Sequence, residues 1–142
     1  MSNSKKLMLT ALAVIFLIGA TPLFADLDGI WEGYGEGSCE TPAGTIIYPW
    51  QTWNGTVDEY GYFSGEWEDS DGNQGTFEGC MASLNPPVCP GVWTWRDDSS
   101  LEPIEMGLFQ MVFYEVQGTC NGEWWPYSGA QGGTMWGWSI GD

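Results

Sequence analysis

Phe63-Ser64-Gly65-Glu66-Trp67 … Gly75-Thr76-Phe77-Glu78-Gly79, folded about Asp71, makes a β-hairpin in which every large ring faces a glycine. Trp67 falls opposite Gly75, Gly65 opposite Phe77, and Phe63 opposite Gly79. In such pairs the ring covers backbone that glycine leaves bare, a device of small, strongly curved sheets. The chain repeats it in Gly122-Glu123-Trp124 … Gly133-Thr134-Met135-Trp136-Gly137, which sets Trp124 opposite Gly133 and Gly122 opposite Met135. Phe63, Trp67 and Phe77 then share the core face of the first hairpin, and Tyr62, Ser64, Glu66, Glu68, Thr76 and Glu78 face water. A slip of one residue would bury three carboxylates, so the register is strongly specified.

Outward from these hairpins the same alternation continues. Short runs rich in Trp, Tyr, Thr and Val, broken by Gly and Pro, predict strands near 28–39, 44–50, 52–59, 61–68, 74–80, 91–97, 104–117, 118–125 and 133–140. Turn chemistry separates them at Thr41–Gly44, Glu59–Gly61, Asp71–Asn73, Pro86-Pro87 and Asp97–Pro103. The predicted fold is all-β, an antiparallel meander of about 8–10 strands closing into a small barrel, with a sandwich as the alternative. Glycines at 29, 33, 35 and 37, in phase with Trp31, call for sharp coiling and favour the barrel. Trp31, Trp53, Trp93 and Trp95 are predicted to join the core, with Glu32, Glu36 and Glu40 outside.

Residues 1–25 read as a secretory signal peptide: Lys5 and Lys6 precede an apolar run, Leu7 to Ala20, too short to span a membrane, and a cut follows Ala25. The expected mature chain, 26–142, is a single exported domain, secreted or periplasmic. Without Lys5 and Lys6, Arg96 alone faces nineteen carboxylates, a formal charge of −18. That balance repels nucleic acid and anionic lipid and suits cations or neutral ligands such as glycans. Four cysteines in an exported domain predict two disulfides. Cys80–Cys89 is expected as a staple of the Pro-rich segment between them, and Cys39–Cys120 as a link between distant strands.

The catalytic inventory is thin. The mature chain has no His and no Lys, which removes Ser-His-Asp, Schiff-base and zinc-hydrolase chemistry. Glu66 and Glu78 are the carboxylate pair nearest to glycosidase needs, yet surface acids on one hairpin face are the simpler reading. No enzyme activity, metal or cofactor is expected. Asp69-Ser70-Asp71-Gly72-Asn73 opens like a calcium loop but lacks its closing Glu, and reads as a hairpin turn, with weak calcium binding as the alternative.

The sharper signal is a contrast between the repeats. Where the first hairpin shows Glu68, Glu78 and Cys80 on its outer face, the second shows Trp125, Trp136 and Trp138. Asn121 falls across from Trp136, and Glu123 across from Thr134. Rings on a rigid sheet beside an amide and a carboxylate suit stacking on a sugar. The expected function is therefore non-catalytic binding of a glycan or similar neutral ligand by Trp125, Trp136, Trp138, Glu123 and Asn121. Two alternatives remain open. Gly29-Ile30-Trp31 resembles the Gly-x-Trp of lipocalin and avidin-like barrels, which would imply a carrier with a small apolar ligand inside. A structural or self-assembling envelope protein would instead use the Trp face as a contact in a homo-oligomer. The Gly-Glu-Trp hairpins are also similar to MORN repeats, without their regular short period.

Overall fold

The structure, a computed structural model, describes residues 23–97, 102–129 and 131–141. Residues 1–22 of the expected leader and part of the Asp97–Pro103 turn lie outside the described residues. A 3-10 turn, Ala25–Leu27, precedes eleven strands: β1 (Gly29–Gly37), β2 (Cys39–Glu40), β3 (Ile46–Ile47), β4 (Thr52–Val57), β5 (Tyr62–Glu68), β6 (Gln74–Cys80), β7 (Ser83–Leu84), β8 (Pro87–Trp95), β9 (Ile104–Tyr114), β10 (Thr119–Pro126) and β11 (Gly133–Gly141).

Eight of them close into an antiparallel barrel. Each strand pairs with its chain neighbour in the order β1-β4-β5-β6-β8-β9-β10-β11, and β11 returns to pair with β1. The meander predicted from alternation is thus a barrel and not a sandwich. Both hairpin registers follow from the ring-on-glycine reading: Trp67↔Gly75, Gly65↔Phe77 and Phe63↔Gly79 in one, Trp124↔Gly133 and Gly122↔Met135 in the other. Ile104–Tyr114 is one strand, so the expected 104–117 run ends three residues early.

The lumen is packed with rings. Trp31, Trp50, Phe63, Trp67, Phe77, Trp93, Phe109, Phe113 and Trp124 are buried, with Trp53 and Trp95 close behind. Trp50 stacks on Phe77 at 4.4 Å between centroids and meets Phe109 edge-on at 5.0 Å. Phe63 meets Phe113 at 5.2 Å, and Phe113 meets Trp31 at 5.0 Å. Burying so many large rings supplies the core that a chain of this length cannot build from aliphatics alone.

Three departures from expectation have local causes. The run read as a strand over 44–50 forms only Ile46–Ile47, paired with Cys39–Glu40 in a small side sheet. Beyond it the chain turns inward at Trp50, whose φ of 66° carries its ring into the barrel. The Pro-rich segment is not all loop: β8 begins at Pro87, and Pro90 sits within it with its ring on the exposed side.

The two disulfides are absent, and all four cysteines are free thiols. Cys80 and Cys89 lie close together across the β6–β8 pairing, but the pleat sends them to opposite faces. Cys80 is exposed, whereas Cys89 is buried against Gly79. Cys39 and Cys120 are separated along the barrel. Cys120 pairs with Gly137, level with Gly33, and Cys39 lies beyond Gly37. The four residues from Gly33 to Gly37 alone span about 13 Å of strand. Phase put Cys39 and Cys120 on the same face, but level along the barrel axis separates them.

Phe24, which falls inside the expected leader, is buried against Gly61, and its N–H donates to the Glu59 carbonyl at 3.2 Å.

Candidate functional site

The outward residues of β10 and β11 are placed by register. Asn121 pairs with Trp136 and Glu123 with Thr134, while on the other side of β10 Asn121 pairs with Val112 and Glu123 with Gln110. Gly122, between them, turns inward over Met111, which holds the two polar side chains outward. These groups line an open depression of about 540 Å³: Gln110, Val112, Asn121, Glu123, Trp125, Thr134 and Trp136.

The sequence-predicted residues all lie on this outer wall. Trp125 is 39% exposed and Trp136 37% exposed, so neither ring is covered by a neighbouring strand. Asn121 and Glu123 are exposed beside them. Trp125 is the outlier in height. It pairs with Leu108, about four residues along the strand direction from the Asn121–Trp136 row, or roughly 13 Å. Trp138 is half-buried and stands on the far side of Trp136. Its ring leans on Tyr34, with centroids 5.7 Å apart and planes tilted by 55°. It therefore lines a second depression with Tyr34, Glu32, Asn54, Glu66 and Glu68.

The residues contributed by β1 and β4 were invisible to hairpin reasoning. Tyr34 and Glu32 reach Trp136 and Trp138 only through the barrel-closing pair between the first and last strands. The signal available was phase: Glu32 and Tyr34 share an outward face with Glu36, and closure of the meander brings that face beside β11.

The carboxylate pair weighed for glycoside chemistry does not converge on a cleft. Glu78 is engaged at 2.6 Å by the Tyr62 hydroxyl, and that bond raises the Tyr62 phenol above its ordinary range. Asp69 is likewise committed. Its Oδ1 accepts from the Asp71 and Asn73 N–H groups and its Oδ2 from Tyr48 N–H and the Asn73 amide. Both oxygens hold the turn, as the hairpin reading requires. Among the described residues no three His, Cys, Asp or Glu side chains are grouped to hold a metal.

What the wall offers chemically is partly exposed indole rings, an amide, a carboxylate and hydroxyls on a sheet. No protein-family model matches the chain, and no curated protein and no solved structure is detectably similar to it.

Proposed function

We propose that this protein is a non-catalytic binding protein that presents the outer wall of β10 and β11 to a glycan. The carrying observation is the exposure of Trp125 and Trp136 around a polar-edged depression, where the equivalent face of the first hairpin carries Glu68 and Glu78. A pyranose ring has an apolar face and a hydroxyl rim. Stacking on Trp removes the face from water, and Asn121, Glu123 and Gln110 stand ready to hydrogen-bond the rim. In this reading the chain is exported by its N-terminal leader.

Tryptophan fluorescence titrated with a panel of soluble polysaccharides tests this. The expected result is a saturable change that the Trp136→Ala/Trp138→Ala double variant loses while keeping its melting temperature. Absence of any response in the folded protein would defeat the reading.

One further reading has an observation of its own. Trp125, Leu108 and Val92 form an apolar cross-strand row on the surface, which suits contact with a second copy. Concentration-dependent light scattering that Trp125→Ser abolishes would favour it. The internal-carrier alternative requires a lumen, and here the chain's own rings fill it.

A further inference from the structure

The second depression on the outer wall differs in chemistry from the first. It holds about 320 Å³ and joins the rings of Tyr34 and Trp138 to the side chains of Glu32, Asn54, Glu66 and Glu68. Register explains the grouping. Trp138, Glu32, Asn54 and Glu66 form one cross-strand row over β11, β1, β4 and β5. Trp136, Tyr34, Thr52 and Glu68 form the next row over the same strands. Strands stand about 4.8 Å apart, so Glu32 and Glu66 bracket Asn54 across roughly 10 Å. The two rows also tie the depressions together, because Trp136 borders both Asn121 and Tyr34.

Three ionisable acids beside two tilted rings favour one kind of guest. An ammonium group gains from the negative ring face and from charge-assisted hydrogen bonds, which are about twice as strong as neutral ones. A carboxylate or sulfate group there would face repulsion from Glu32, Glu66 and Glu68 and from a chain of net charge −16. Arg96, the only cation among the described residues, pairs with Gln74 on the far side of Glu68 and so lies at the rim.

Building on the glycan reading of the first depression, we infer that the ligand is an extended glycan bearing protonated amino groups. Its sugar faces stack on the Trp136 side, and an ammonium sits among Glu32, Glu66 and Trp138. The strand rows give it a direction, running across the strands from β10 toward β5.

The test is calorimetric titration of the full chain with three oligosaccharides of equal length and linkage, built from glucosamine, N-acetylglucosamine and glucose. The pH is set between the carboxylate and amine titrations. The glucosamine oligomer is expected to bind about tenfold more tightly than the other two. Glu66→Gln/Glu68→Gln is expected to erase that preference. Asp26→Asn/Glu59→Gln, which removes the same charge from one end of the barrel, is expected to keep it. Loss of preference in both variants would mean diffuse attraction to the net charge and would overturn the site. Equal affinity for all three oligomers would overturn amine selection while leaving glycan binding intact. Failure of every oligomer to bind would overturn both readings.

Discussion

Trp67 crosses the neighbouring strand at Gly75 and donates its indole N–H to the Thr94 carbonyl one strand further on, at 2.8 Å. Trp124 does the same over Gly133 to Glu36, at 3.2 Å, and Trp93 over Gly107 to Trp125, also at 3.2 Å. The glycine is what lets the ring pass. A Cβ at Gly75 would collide with the Thr94 carbonyl and lie 2.5 Å from the Trp67 indole nitrogen, and one at Gly133 would collide with the Glu36 carbonyl and lie 2.7 Å from the Trp124 indole nitrogen. Each ring thereby binds three consecutive strands and satisfies its own buried donor. Gly75→Ala, Gly107→Ala and Gly133→Ala are each expected to destabilise the barrel by about 1–3 kcal/mol through overpacking, read as a lower urea midpoint. A Gly75→Ala protein with an unchanged midpoint would show that the ring is not held there. Trp50 departs from this pattern. It is buried with no partner for its indole N–H, and its backbone sits at φ 66°. Such a conformation costs about 1–3 kcal/mol, which ring packing against Phe77, Phe109 and Trp53 must offset. Gly35 leaves the space, since a Cβ there would lie 2.8 Å from the Trp50 Cβ. Trp50→Ala is expected to lose about 3–5 kcal/mol in equilibrium unfolding.

At the scale of elements, the inward turn at Trp50 is anchored from another strand pair. The Asp69 carboxylate organises the β5–β6 turn and also accepts from Tyr48 N–H at 3.1 Å, tying the segment before Trp50 to that turn. Asp69→Ala orphans four donors at once. With hydrogen bonds to charged groups worth about 1.5–3 kcal/mol, the expected loss is at least that of one such bond. Proteolysis should then quicken within residues 42–50, and an unchanged digestion rate would contradict the anchor. These local devices also explain what could be read in advance. Hairpin register was legible because Trp67 with Gly75 and Trp124 with Gly133 are paired within one turn of chain. The core face was legible because a shifted register buries Glu66, Glu68 and Glu78. The inward turn at Trp50 was not, since nothing in Tyr48-Pro49-Trp50 announces a left-handed residue. In the candidate site, the shared outward placement of Asn121, Glu123 and Trp136 followed from the second hairpin. Glu32, Tyr34 and Asn54 did not, because they arrive through pairing between the two ends of the chain. Cys80 and Cys89 failed as a pair for the same kind of reason. Their spacing was visible, but the start of β8 at Pro87, which turns Cys89 inward, was not.

For the molecule as a whole, the thiols report how tightly the barrel is closed. Burial pushes the Cys39 thiol up to about 11. Burial, aided by the electrostatic influence of the neighbouring Cys80 side chain, pushes Cys89 to about 12. Burial outweighs a bond with the Gly137 backbone to push Cys120 to about 12. Cys80 alone is exposed. A thiol-specific disulfide reagent at mildly alkaline pH is therefore expected to label Cys80 alone in the native protein and all four cysteines in denaturant. The same numbers set an alkaline limit. In the unfolded chain these thiols ionise near their ordinary value of about 8.5, whereas the fold keeps them protonated until pH 11–12. Between those limits the unfolded state binds fewer protons, so stability falls as pH rises. The contribution of the buried thiols is complete below the unfolded value and is lost progressively above it. Each fully buried thiol steepens the decline by up to about 1.4 kcal/mol per pH unit. Urea midpoints measured from neutral pH to pH 11 are expected to hold level and then drop. Cys120→Ala should give a shallower drop, because the alanine has no proton to lose. Equal slopes for the two proteins would mean that Cys120 is reached by solvent, and the lumen would then be open rather than filled.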